Sequence, residues 1–284
     1  MTAVPTLAFV AALYDEVSIA VRTRRHGYER VFAPGGALAY VTTAGAAGQP
    51  TTIVATGWGA AAAEAGTKWL VSEMRPSVIV ATGYAGGTLP GHAAGTLAIA
   101  ETVVAGGGGP DAADRVGAEP VPSQLSGHVA CDRSLVHLAH SSAQQLRVPF
   151  ATGLLATTPR IVCAAAQKRA LGETSGAIAV DLETWHIGRV AADAGVPFLA
   201  VRAIVDTVDD DLPGFVEQLA PGPRPPAALP ALRYLARRPA SLPSIIRTGR
   251  AAGRARRTIA AFIAEFGDRW GAAVADSSHG AALK

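Results

Sequence analysis

Short apolar runs, each followed by a stretch of helical character, recur along most of the chain. This alternation constrains the fold more than any other feature. The run at 7–13 reads as a buried first strand, and 14–25 as the helix after it. Runs at 37–43 and 51–56 are rich in β-formers and are split by Gly45 and Gly48-Gln49-Pro50, which are turn signals. Gly57-Trp58-Gly59 leads into an alanine-rich helix that reaches about Glu73. A continuous apolar strand at 77–82 then ends in Gly83-Tyr84-Ala85-Gly86-Gly87, and 96–104 is another strand. Residues 106–124 read as a long loop, and Asp132 is placed to cap a helix running to 146. Strands follow at 150–157 and 177–182, with a helix at 164–171 between them. The helix at 183–194 is closed by Gly195 and Pro197, and 198–206 is the last strand. Strands that are apolar throughout, rather than on alternate residues, argue for a sheet covered on both faces. The expectation is an α/β fold with a central, largely buried sheet flanked by helices.

The composition agrees and narrows the class. With 284 residues, 49% hydrophobic and 17% charged, the chain is no disordered segment. Its two cysteines, Cys131 and Cys163, lack CxxC or metal-ligand spacing. They read as reduced and buried, which points to the cytoplasm. No apolar run reaches the length of a membrane span, and no secretory signal pattern is visible. The net charge of +3 is unevenly placed. Residues 231–260 hold eight arginines and no acid, so the remainder of the chain stands at −5. A proline-rich connector at 221–230 leads into that basic stretch. The chain is therefore read as a body at 1–221 and an arginine-rich helical extension at 222–284.

Gly57-Trp58-Gly59-Ala60-Ala61-Ala62 follows a strand and opens a helix, as a dinucleotide-binding turn does. That reading also needs an acid at the end of the next strand, to bind ribose hydroxyls. The next strand ends in Thr82-Gly83, and Glu73 lies before it. The glycines are read as allowing a tight turn and close backbone approach.

Three acids sit where a sheet presents residues at strand ends: Glu16, Glu183 and Asp206. Ligands bind at such ends in open α/β sheets. Asp206 also opens the run Asp206-Thr207-Val208-Asp209-Asp210-Asp211, which reads as a solvated loop rather than a metal site. No metal is expected.

With their flanking residues, these acids carry a resemblance. Val180-Asp181-Leu182-Glu183 and the segment from Gly195 to Asp206 (GVPFLAVRAIVD) resemble the signature of the nucleoside phosphorylase/nucleosidase superfamily. Ala12-Leu13-Tyr14-Asp15-Glu16-Val17 and Thr82-Gly83-Tyr84-Ala85-Gly86-Gly87 match two more of its motifs, in order. The resemblance is to the 5′-methylthioadenosine/S-adenosylhomocysteine nucleosidase-like members, and it spans about 7–221. It implies a three-layer nucleoside phosphorylase-like fold with a mixed sheet, here with a C-terminal helical extension. It implies cleavage of a purine N-ribosyl bond, with no cofactor beyond inorganic phosphate if the enzyme is a phosphorylase.

The resemblance assigns roles. Asp206 protonates the departing base, a step worth about 10²–10⁴-fold. Glu16 activates the nucleophile, Arg202 partners that side, and Glu183 holds the ribose hydroxyls. Leu182, Gly83, Tyr84 and Gly86 fall in substrate-binding positions. Ile161 and Val162 fall in a segment lining the base pocket, where the superfamily often has an aromatic. Tyr84 stands where hydrolases of the family have a small hydroxyl residue. A homo-oligomer is also implied.

Water and phosphate remain alternative nucleophiles. Phosphate users place an arginine beside the glycine motif, whereas this strand reads Val80-Ala81-Thr82-Gly83. A carboxylate about 4 Å from an anion costs roughly 4 kcal/mol at an effective dielectric of about 20. Glu16 therefore favours water.

Through Leu232-Arg233-Tyr234-Leu235-Ala236-Arg237-Arg238-Pro239, Leu242-Pro243-Ser244-Ile245-Ile246-Arg247 and residues 251–260, the extension resembles that of the hopanoid-associated phosphorylase branch, which implies adenosylhopane as substrate and a lipid-linked nucleoside as partner. Trp185 departs from that branch's small residues and is expected to reshape the pocket. Arginines interleaved with leucine and isoleucine suit an anionic membrane surface, at the inner face of the membrane. They suit also a helical hairpin packed on the body or on another subunit, with the arginines merely solvated. No nucleic-acid recognition fold accompanies them. Small soluble nucleosides such as methylthioadenosine remain alternative substrates. A non-catalytic nucleoside-binding module is the alternative of another class.

Overall fold

The computed structural model describes residues 4–23, 27–43, 48–106, 125–212, 216 and 242–281. The element order is β1 (Leu7–Ala11), α1 (Tyr14–Thr23), β2 (Glu29–Phe32), β3 (Leu38–Thr42), β4 (Thr51–Ala55), α2 (Ala60–Trp69), β5 (Val78–Gly87) and β6 (Leu97–Gly106). It continues with β7 (Leu125–Ala130), α3 (Arg133–Leu146), β8 (Phe150–Thr157), α4 (Ala165–Ser175), β9 (Ala177–Asp181), α5 (Thr184–Asp193), β10 (Phe198–Asp206) and α6 (Leu242–Ala281). The anticipated α/β class is what forms. The anticipated loop at 106–124 and connector at 221–230 fall almost wholly outside the described residues.

All ten strands join one mixed sheet. β1 lies between β4 and β5, parallel to both. On one side the sheet continues antiparallel through β3 to β2. On the other, β5 pairs with β10, β10 with β6, β6 with β8, β8 with β9, and β9 returns to β5. Those five strands close a ring, which leaves them no free edge. The registers of the ring assemble the site. Arg202 lies opposite Gly83, Asp206 and Val180 both lie opposite Gly86, and Thr157 lies opposite Asp181.

The strands that read as apolar runs are the core. β1 and β4 are buried along their whole length. Two strands were not anticipated. β2 (ERVF) is mostly exposed and so lacks an apolar pattern, and β7 pairs only at the outer side of β6.

Within the basic extension the described residues form the long helix α6, whose two halves differ; Arg233, Arg237 and Arg238 lie outside the described residues. Ile259, Phe262, Ile263, Phe266 and Trp270 recur at helical spacing and are buried in the main core. The Phe266 ring meets Phe9 of β1 edge-on at 6.2 Å. Toward the N-terminal end, Leu242 and Ile246 are 45% and 43% exposed, and Arg247, Arg250, Arg254 and Arg257 are exposed beside them.

Candidate active site

Glu16 sits in the first turn of α1, directly after β1. Its carboxylate is buried and accepts N–H bonds from Leu13 at 2.8 Å and from Tyr84 at 2.8 Å. Gly83 has φ +132°, and a Cβ there would lie 2.5 Å from Arg202 Nη1 and 2.7 Å from Glu16 Oε1. Only glycine lets β5 pass between these two groups. Arg202 of β10 is wholly buried. Its Nη1 donates to the Thr82 carbonyl at 2.7 Å, and its Nε donates to Thr184 Oγ1 at 2.8 Å while lying 2.8 Å from Asp181 Oδ2. Its Nη2 is buried with no hydrogen-bond partner among the described residues. Asp181 is braced in turn by the hydroxyls of Thr157, at 2.7 Å, and Thr184.

Glu183, at the start of α5, accepts an N–H bond from Gly59 at 2.9 Å. The glycine turn set aside as a dinucleotide motif thus holds an acid of the site. Three carboxylates crowd one guanidinium, and the cost of burying them shows. Burial raises the Glu16 carboxyl above its ordinary range, against the pull of Arg202 and backbone N–H groups. Burial, with repulsion from Asp181 added, pushes Glu183 up to about 8.

Asp206 ends β10 on another side of the site. It lines a small cavity with Gly86, Ile161, Val162, Val180 and Leu182. Burial raises its carboxyl also, and the neighbouring Lys168 opposes that shift. Lys168 of α4 is fully buried and donates to Asp206 Oδ2, to the Thr207 carbonyl at 2.5 Å and to the Asp210 carbonyl at 2.7 Å. The aspartates beyond Asp206 each have a structural partner. Asp210 accepts from the Thr207 N–H and hydroxyl, Asp211 from the Ala165 N–H, and Asp209 pairs with Arg169. Among the described residues no group of three or more His, Cys, Asp or Glu is placed to hold a metal ion.

The two remaining positions of interest point elsewhere. The Tyr84 hydroxyl donates to Asp15 at 3.1 Å, and Asp15 also pairs with Arg256 of α6. Tyr84 therefore gives Glu16 its backbone while its ring is tied to the C-terminal helix. The Trp185 ring lies against Gly127 of β7, where a Cβ would come within 2.9 Å of it, and Arg189 stands 5.6 Å from the ring centre.

Sequence reasoning named Glu16, Glu183, Arg202 and Asp206 but missed Asp181 and Lys168 as members of the cluster. Lys168 had a signal. It shares the buried face of α4 with Leu171 and Gly172, at i+3 and i+4.

A model of the phosphorylase superfamily matches residues 6–238, most of the chain. The chain belongs to the phosphorylase superfamily. Among similar proteins is a 5′-methylthioadenosine/S-adenosylhomocysteine nucleosidase of Geobacillus thermodenitrificans, 29% identical over 206 residues, covering 72% of this chain and 85% of that protein. The fold is shared with the Helicobacter pylori nucleosidase of the same name, at a TM-score of 0.71 and 17% identity, covering 94% of this chain and 100% of that one. It is shared too with the futalosine hydrolase of Helicobacter pylori, at a TM-score of 0.70 and 17% identity, covering 94% and 98%. The shared fold is a central mixed sheet flanked by helices, with α6 as the C-terminal one.

Proposed function

We propose that this enzyme hydrolyses the N-ribosyl bond of an adenine nucleoside, with adenosylhopane as its substrate, releasing adenine and leaving a ribosyl hopanoid. The observation that carries the reaction class is the convergence of Glu16, Glu183 and Asp206. They come from three separate strand ends and are all buried. Cleavage leaves positive character on the ribose and negative charge on the purine. Asp206 delivers a proton to the purine as the bond breaks, and Glu16 takes one from the attacking water. Glu183 holds the ribose hydroxyls, and its carboxyl is fixed through the Gly59 N–H.

Water is favoured over phosphate as the nucleophile. Among the described residues the cation beside Glu16 is Arg202, which already faces Asp181 at 2.8 Å and wholly lacks solvent exposure. An incoming phosphate would meet a predominantly acidic wall. The relatives named nucleosidase and hydrolase agree with that choice. Adenine release with and without phosphate is the test, and strict phosphate dependence would establish phosphorolysis instead.

The lipid-linked substrate is supported by the exposed face of α6. Arginines there stand beside two exposed aliphatic side chains, and each basic group near an anionic bilayer adds on the order of 1 kcal/mol of binding. No helix among the described residues is long and apolar enough to cross a membrane, so contact would be peripheral. Deleting the extension is a poor test, because α6 supplies Phe262 and Phe266 to the core. Charge reversal of Arg250, Arg254 and Arg257 to Glu leaves that core intact. It should weaken binding to phosphatidylglycerol vesicles and slow turnover of adenosylhopane, with turnover of methylthioadenosine unchanged. Equal turnover of both nucleosides by both proteins would favour a small soluble substrate.

A further inference from the structure

Lys168 has all three ammonium donors engaged inside the protein, on Asp206 Oδ2 and on the carbonyls of Thr207 and Asp210. It has no solvent exposure. A fully buried lysine with a fixed set of partners has a structural task, a chemical one, or both. Its carbonyl bonds fasten the turn after β10. Its bond to Asp206 goes further, because it engages one chosen oxygen of the group that faces the purine cavity.

We propose that Lys168 is a positioning residue for leaving-group protonation: it occupies Asp206 Oδ2, so that the transferable proton sits on Oδ1, and it stabilises the carboxylate that forms when that proton leaves. The inference rests on the purine-releasing activity proposed above. As the N-ribosyl bond breaks, its electron pair goes to the purine. The Asp206 proton goes to the purine nitrogen, and water adds to the ribose carbon and gives its proton to Glu16. Asp206 thereby becomes an anion, and Lys168 keeps its charge throughout. An ammonium already in contact with that anion needs no reorganisation, which is how a preorganised site lowers a barrier.

The surroundings leave this task to Lys168. Along the turn, Asp210 adds negative charge and is itself met by Arg247 of α6 at 3.5 Å. Asp211 is bonded to the start of α4, and Asp209 pairs with Arg169 at the surface. Asp181 lines the same cavity but faces Arg202, together with Glu16 and Glu183. Burial alone would hold the proton on Asp206 too firmly for transfer, and Lys168 counters that.

The test compares two leaving groups. Methylthioadenosine needs protonation at the base, whereas 4-nitrophenyl riboside releases a stable anion without it. Lys168→Gln keeps an N–H donor and loses the charge, and Lys168→Met loses both. Each should lower kcat on methylthioadenosine about 10²-fold with little change in KM. Each should also move the alkaline limb of its kcat profile to higher pH, because Asp206 then keeps its proton longer. Turnover of the nitrophenyl riboside should fall less than about threefold. Lys168→Arg, which restores the charge, should recover the limb. Equal losses on both substrates, or an unmoved limb in a folded variant, would overturn the proposal and leave Lys168 a structural fastener. If neither neutral variant folds while Lys168→Arg does, the structural role alone is established and the proposal fails. Wild-type protein that cleaves the nitrophenyl riboside yet releases no purine from any nucleoside would refute the underlying activity instead.

Discussion

The two sides of the site balance their charges in opposite ways. Around Arg202, three carboxylates share one guanidinium, and hydroxyls and backbone N–H groups brace the excess. Around Asp206, one carboxylate meets one ammonium, and the spare donors of that ammonium go to carbonyl groups. The first has more acids than cations among the described residues, and Glu183 relieves the excess by holding its proton. The second is matched, and only its proton needs to move. On the proposed reading, the acids around Arg202 are where the fold is vulnerable and Asp206 is where the rate is set.

Asp206→Asn should separate rate from stability most widely. Purine release should fall about 10²–10⁴-fold, with a melting temperature close to that of the native protein, because Asn is neutral like the protonated acid and still accepts from Lys168. A large drop in melting temperature would erase the contrast. Arg202→Met should do the reverse of a purely kinetic change. It strands buried carboxylates, and breaking a buried pair in this way costs about 3–5 kcal/mol, which denaturant unfolding would register.

Glu183 offers a subtler probe of the acid-rich side. Its folded carboxyl holds a proton up to about 8, against an ordinary value of 4.5. The folded state binds that proton more tightly than the unfolded chain does. Its contribution to stability is therefore full below the ordinary value and is lost as pH rises through about 8. Glu183→Gln should flatten the stability profile across that window. An unchanged slope in chemical denaturation would show that the acid is already ionised in the folded protein. The smallest effect belongs to Arg256→Ala. Its partner Asp15 is largely exposed, so the loss of that pair should cost less than about 1 kcal/mol.

Much of this architecture was legible, for identifiable reasons. β1, β4 and the first part of β5 are buried on both faces, so their sequences are uninterrupted apolar runs. β2 is an exposed edge strand and carries no such run. Ring closure between β9 and β5 rests on two paired positions, which leave no imprint on local pattern. Glu16, Glu183, Arg202 and Asp206 stand within recognisable motifs. Asp181 and Lys168 acquire meaning only through partners 21 and 38 positions away, since a charged residue reads as solvated until its neighbours are known. The extension was read by its charge, whereas the residues that anchor it are the aromatic ones beyond the arginines.

The contact between Phe9 and Phe266 sets a schedule for synthesis. A ribosome working at about 5–20 residues per second delivers the second ring on the order of ten seconds to a minute after the first. Until then the face of β1 that α6 covers has no lid, and its apolar side chains are open to chaperones or to another nascent chain. Slowing elongation late in the message should lengthen that exposure without altering one amino acid.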